Sequence, residues 1–265
     1  MKNTKITFLF LASFIFFLLS SETQTTGNTT LFTYTEGERG PSKWGQLSPS
    51  WTACRTAAKA QSPVDLVHKA ATLQPALGDL KLQYRPAAAS IKSSGNFIEV
   101  IWKGNAGKIV VDGNQYKLKK IHWHTPAEHA IDGKRVDLEL HLVHQNSAGG
   151  MAVIGILFKL GDADPFLTQL LPSIKTITKE GKDLGTINPG DSGIVSKSSY
   201  FRYTGSLTNP PCTEGVVWTV LDEVKMVSAE QLDALKKAVD AEFKMNSRPL
   251  QALNGRPVKF YKAAQ

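Results

Sequence analysis

The chain has 265 residues, 42% hydrophobic and 20% charged, with a formal charge of +8 at pH 7. That suffices for one large domain or two modest ones with a real core, and it excludes a disordered, collagen-like or coiled-coil chain. The positive charge is spread, its densest run being "KLKK" at 117–120, and no nucleic-acid recognition motif accompanies it. It therefore reads as a solvated basic surface, with no nucleic-acid partner expected.

Residues 1–23 read as a secretory signal peptide: Lys2 and Lys5, an apolar stretch from Ile6 to Leu19, then small polar residues. The apolar stretch is short for a membrane span of about 20 residues, so no membrane contact is expected of the mature form; an uncleaved anchor is the alternative. Cleavage between Ser20 and Gln24 lowers the net charge to about +7, since Lys2, Lys5 and Glu22 leave with the leader. A flexible polar segment, 24–31, follows and contains the glycosylation triplet Asn28-Thr29-Thr30. The leader implies the secretory route and the extracellular space. In that oxidising setting Cys54 and Cys212 read as one disulfide closing a long loop, and two buried thiols are the alternative.

From residue 32 to about 51 the chain is loop-rich with aromatic anchors. From about residue 80, short alternating runs predict β-strands: "LKLQY", "SIKSS", "NFIEVIW", "GKIVVDG", "YKLKKIHWH", "VDLELHLVH" and "MAVIGILFKL". A helix starts at Pro165 with Asp164 as its cap. After a Pro-rich stretch comes the strand "GVVWTVLDEV". The strongest helix follows, with Ser228 as N-cap and Gln231 completing a capping box; Leu232, Leu235, Val239 and Phe243 share roughly one side. The fold class predicted is mainly β (α+β): one domain on a large, mostly antiparallel twisted sheet with peripheral helices.

Five of the six histidines fall between His122 and His144. On strands, His122 and His124 share a face with Lys120, while Glu139, His141 and Val143 share a face of the second strand. If the strands are neighbours, His122, His124 and His141 converge. Three neutral imidazoles with an open fourth position describe a catalytic zinc (Zn2+) site. Ordinary polar surface histidines are the alternative. His129 and His144 fall off this face and read as structural. Glu139 has the chemistry to take the outer N–H of His141, or is a solvated strand carboxylate.

The ordered motifs "QSPVDL", "HWHTPAEH", "LELHLVH", "AVIGILFKLG", "GSLTNPPCTEGVVW" and "NSRPLQ" resemble the alpha-class carbonic anhydrases, especially those of plants, over about residues 32–261. The resemblance implies a domain over that range and a conical cavity with zinc at its base. The substrate pair it implies is carbon dioxide and bicarbonate. His122, His124 and His141 match the zinc ligands. Thr208 matches a threonine that accepts a hydrogen bond from the reacting oxygen, and Glu128 the glutamate that takes that threonine's proton. Val143, Val153, Leu207, Val216 and Trp218 match the apolar wall that holds carbon dioxide. Cys54 and Cys212 match the disulfide of secreted members.

Five positions depart from the family pattern. Asn96 stands where fast members carry a proton-shuttling histidine, and an asparagine cannot titrate near neutrality. Lys120 stands where a glutamine carbonyl normally accepts the outer N–H of His122, and an ammonium offers no acceptor. Glu99 either pairs with Lys120 or takes that N–H itself. Phe97 and Asn209 re-line the cavity mouth. A slowed enzyme is therefore expected, with a catalytically weakened storage or small-anion-binding protein as the alternative.

Overall fold

The computed structural model describes residues 32–55 and 58–264. The expected signal peptide, the segment after it and Asn28 lie outside the described residues. In chain order the strands are β1 (Asp65–Leu66), β2 (Thr72–Leu73), β3 (Lys81–Tyr84), β4 (Ala87–Ser93), β5 (Ile98–Trp102), β6 (Gly107–Val111), β7 (Asn114–His124), β8 (Ala130–Ile131), β9 (Leu138–Gln145), β10 (Met151–Leu160), β11 (Lys182–Ile187), β12 (Tyr200–Ser206), β13 (Glu214–Leu221), β14 (Lys225–Val227) and β15 (Lys259–Tyr261). Thirteen of them form one sheet whose path runs β11-β4-β5-β7-β9-β10-β13-β12-β15-β2. The β3–β6 pair lies against β7, and β14 extends the edge of β10. Neighbours are antiparallel except β10–β13, β10–β14 and β15–β2. β1 and β8 pair separately, in parallel.

The central strands are buried on both faces, which explains the near-continuous apolar run in β10 and the sealed pattern of β9. On one face Ile121, Trp123, Leu138, Leu140, Leu142, Ile154 and Ile156 build the larger core. Helices α1 (Pro165–Ile174) and α2 (Ala229–Lys237) cover it with Phe166, Leu170, Leu232 and Leu235. Each such side chain contributes about 1.5–3 kcal/mol by leaving water. The other face carries Val143, Val153, Leu157, Val216, Trp218 and Val220 beside the histidines. One sheet thus separates a stabilising core from a chemical face.

The helix caps follow the sequence. The Asp164 carboxylate accepts the Leu167 N–H, and Ser228 and Gln231 form a reciprocal capping box. Gln231 also bonds the Asp164 backbone, joining the two helices. The second helix is shorter than its side-chain pattern predicts: it ends at Lys237, and Phe243 sits on a separate single turn, Ala241–Phe243. Tertiary contacts override the periodicity there. The Asp240 N–H bonds the Gly95 carbonyl, and Phe243 packs into an edge-to-face cluster with Phe32 and Tyr34. That cluster also holds the Cys54–Cys212 disulfide, which joins residues 158 positions apart.

Candidate metal centre

A bulge between Leu118 and Lys120 sets the register of β7 on β9, pairing His122 with His141 and His124 with Glu139. The three rings then meet, with centroids 4.9 Å apart for His122–His124, 5.1 Å for His122–His141 and 4.6 Å for His124–His141. One nitrogen from each lies within 4.8 Å of the others. Burial, reinforced by the neighbouring imidazoles, holds His122 and His124 well below the usual histidine range. Burial also lowers His141, against the opposing pull of Glu139. Three neutral imidazoles, lone pairs available, are what a divalent metal requires.

The outer nitrogens decide which lone pairs face inward. The His124 Nδ1–H donates to the Asn246 carbonyl at 2.7 Å, leaving Nε2 buried without a hydrogen-bond partner. The His141 Nε2–H donates to Glu139 Oε1 at 2.8 Å, which leaves Nδ1 free. A buried nitrogen without a partner, set among others like it, fits a metal. His122 differs: its Nδ1 is buried and unpartnered. Lys120 instead forms an ion pair with Glu99, which stands directly across from His122 on β5. Lys92 approaches the second Glu99 oxygen at 3.9 Å. Of the two roles open to Glu99, the structure selects the pair with Lys120.

Glu139 anchors the centre. It is fully buried, which alone would push its carboxyl up, yet His129 and His141 hold it well below the usual range. Its Oε2 accepts the backbone N–H groups of Glu128 and His129, and its Oε1 accepts His129 Nδ1–H and His141 Nε2–H, all at 2.8 Å. Four donors saturate an acceptor-only carboxylate. Gly155 makes the room, since a Cβ there would come within 2.8 Å of Glu139 Oε1. In the tautomer that donates Nδ1–H to Glu139, His129 accepts at Nε2 from the Tyr203 hydroxyl at 2.6 Å. Tyr203 keeps its proton because burial raises it well above 10. Its oxygen in turn accepts from Ser62 Oγ–H at 2.7 Å, and Ser62 Oγ accepts the Ser206 N–H. A buried chain of hydrogen bonds therefore runs from residue 62 to the metal-facing histidine.

Glu128 Oε1 accepts the Arg248 N–H at 2.8 Å, while its Oε2 is buried and unpartnered. Burial pushes this carboxyl up to about 8, against the pull of the Arg248 N–H and the nearby Thr208 hydroxyl. The structure groups Val143, Val153, Val216 and Trp218 in one apolar cluster, with Leu207 packed against it. The Trp218 ring stands 4.8 Å from that of His141. Phe97 covers His122 and His124 at 5.2 and 5.0 Å. Asn96 is half-buried, its carbonyl accepting from Asn246 Nδ2 at 2.7 Å, and Asn209 is half-buried in the Thr208 loop.

The sequence pattern did not single out Asn246, Tyr203 or Ser62. Asn246 acts on His124 through a backbone carbonyl, which no side-chain pattern reveals; its place in "NSRPLQ" was the one available signal. Tyr203 and His129 carry polar tips into an apolar face, a pattern shared by many ordinary core residues.

The fold and centre together define a single-domain sheet protein whose three buried histidines could hold one divalent metal. The model of the eukaryotic-type carbonic anhydrase family matches residues 39–262, and the chain belongs to that family. It is 46% identical over 233 residues to alpha carbonic anhydrase 4 of Arabidopsis thaliana, covering 88% of this chain and 86% of the relative. Dioscorin dioA3 of Dioscorea japonica is 40% identical over 98% of this chain and 95% of its own. Among solved structures, a dioscorin complexed with ascorbate superposes with a TM-score of 0.85 at 39% identity, over 89% of this chain and 99% of that one. The alpha-carbonic anhydrase of Thermovibrio ammonificans, complexed with the inhibitor sulfanilamide, gives 0.79 at 35%, over 88% and 99%.

Proposed function

We propose that this protein reversibly hydrates carbon dioxide to bicarbonate and a proton, using zinc held by His122, His124 and His141. The supporting observation is the convergence of three buried, neutral imidazoles within 4.8 Å, two of them oriented by Asn246 and Glu139. Zinc, when bound, supplies a nucleophilic oxygen near neutral pH by lowering the pKa of its water to about 7, carbonic anhydrase itself being the reference case for that value.

The chain's own residues do the rest. Glu139 fixes the His141 tautomer and keeps Nδ1 unprotonated. In its ionised form, which the Arg248 N–H and the Thr208 hydroxyl favour against burial, Glu128 accepts the hydrogen bond of the Thr208 hydroxyl, so the Thr208 oxygen is left to accept from the cavity and orient the reacting group. Val143, Val153, Leu207, Val216 and Trp218 offer carbon dioxide, which has little polarity, a weak apolar seat and let the charged product leave. In this reading residues 32–261 are the catalytic domain, and 1–23 route it into the secretory pathway. Among the described residues no helix is long and apolar enough to cross a membrane.

Asn96 cannot carry the proton out. An acid of pKa about 7 losing its proton to water, with recombination at about 10¹⁰ M⁻¹s⁻¹, turns over at about 10³ s⁻¹, against about 10⁶ s⁻¹ for a fast member. Stopped-flow hydration by the zinc-loaded protein should climb steeply with imidazole buffer concentration. Turnover near 10⁶ s⁻¹ in weak buffer (the figure for a fast member) would sink the role given to Asn96. No turnover at any buffer strength, with zinc bound, would favour a second reading. There the cavity, with Lys120 and Lys92 at Glu99, binds a small anion, as the similar dioscorin holds ascorbate.

Lys120 also sets metal retention. Lys120→Gln gives the orphaned His122 Nδ1–H an acceptor, and zinc affinity should rise by about 10- to 100-fold in competition with a chelator. An unchanged dissociation constant would show that His122 needs no such anchor.

A further inference from the structure

The face of the sheet turned away from the histidines carries a largely buried guanidinium, Arg202, that Asp112 influences by charge but does not pair with. Arg202 on β12 is in register with Thr219, then Ile154 and Leu142, which places it opposite the His141 face. The residue is only 8% exposed. Its Nε–H donates to Thr219 Oγ1 at 2.9 Å, and its guanidinium lies 5.2 Å from the centre of the Tyr200 ring. Among the described residues it makes no ion pair, and its two terminal nitrogens make no hydrogen bond. A guanidinium largely withdrawn from water, with both terminal nitrogens open to a cavity, is free to bond a partner from outside the chain.

Arg202 forms part of the wall of two cavities. The first, about 140 Å³, also contains Lys81 but is balanced by Asp79 and Asp112. The second, about 170 Å³, is lined by Arg202, Arg256 and Lys259 against the single carboxylate of Asp112, with Thr204 and Val217 beside them. Arg256 bonds only neutral backbone carbonyls, those of Leu253, Thr204, Gln61 and Ala252. Lys259 is exposed, faces Arg202 across β15 and makes no ion pair among the described residues. Three cations, none of them in an ion pair among the described residues, stand around one small cavity against the one carboxylate of Asp112 and leave it net positive.

We propose that this second cavity binds a small oxyanion, of phosphate or bicarbonate size, with Arg202 as anchor and Arg256 and Lys259 as flanking cations. The planar guanidinium fork matches two oxygens of such an anion, and the apolar surroundings strengthen the attraction. Asp112 opposes it and tunes the affinity downward. The site lies across the sheet from the metal centre and does not depend on the catalytic reading.

The test is calorimetric titration of the zinc-loaded protein with inorganic phosphate, chloride holding the ionic strength constant. One phosphate should bind per chain. Arg202→Gln should weaken binding by at least about tenfold, Lys259→Gln by about threefold, and Asp112→Asn should tighten it by about threefold. Should Arg202→Gln fail to fold, the two exposed-residue variants carry the test with opposite signs. An affinity identical in all the variants would put the anion elsewhere, at the metal for instance, and overturn the proposal. Absence of saturable binding in the wild-type chain would overturn it equally.

Discussion

Replacing His141 by alanine should remove bound zinc and carbon dioxide hydration together. In the proposed centre His141 is one of three ligands, and the one most firmly held: its ring is buried, its Nε2–H is committed to Glu139, and Glu139 is committed to three further donors. Losing a partner that merely supports a ligand costs about 10- to 100-fold in metal affinity or activity; losing the ligand itself should exceed about 10³-fold in both. Metal content by mass spectrometry and stopped-flow hydration are the paired readouts. Circular dichroism confirms the fold, because the remaining donors still satisfy most of Glu139. Hydration retained in a folded His141→Ala variant would end the zinc reading.

Removing the disulfide, by Cys54→Ser with Cys212→Ser, should cost about 5 kcal/mol of stability, as expected from the loop entropy of a cross-link between residues 158 apart. The consequence is also local. Cys212 closes the turn that begins at Thr208, its N–H bonding the Asn209 carbonyl, and Cys54 ties that turn to the aromatic cluster of Phe32, Tyr34 and Trp44. Urea unfolding should show the midpoint falling, and hydration at fixed zinc should fall as the Thr208 hydroxyl loses its fixed position. A loss below about 1 kcal/mol would mean that the aromatic packing, not the cross-link, holds the segment.

What the sequence disclosed follows from periodicity. A strand repeats every two residues, so "HWH" and "LELH" state which side chains share a face before any pairing is known. What it withheld was the pairing itself. His122 meets His141 only because of the bulge after Leu118, and nothing in "KLKK" announces a bulge. The helix at 228 shows the opposite error: the apolar spacing continues to Phe243, yet Phe243 serves an aromatic cluster beside residue 32. Glu99 has two roles open to it in the sequence because His122 and Lys120 are both its neighbours across the strand pair, and the side-chain geometry decides for Lys120. The Asn246 carbonyl was invisible because backbone acceptors carry no letter of their own.

The hydrogen-bonded chain from Ser62 through Tyr203, His129 and Glu139 to His141 ties the metal centre to the order in which the chain folds. Its first member lies upstream of the large sheet and its middle members on β12 and the β7–β9 connection, so the series closes only after distant segments have docked. Until then Glu139 lacks a donor and the His141 ring has no reason to prefer one tautomer. A metal bound at this centre would in this sense report on folding, because the hydrogen bonds that fix the His141 tautomer are complete only when the chain from residue 62 to residue 206 has reached its final arrangement.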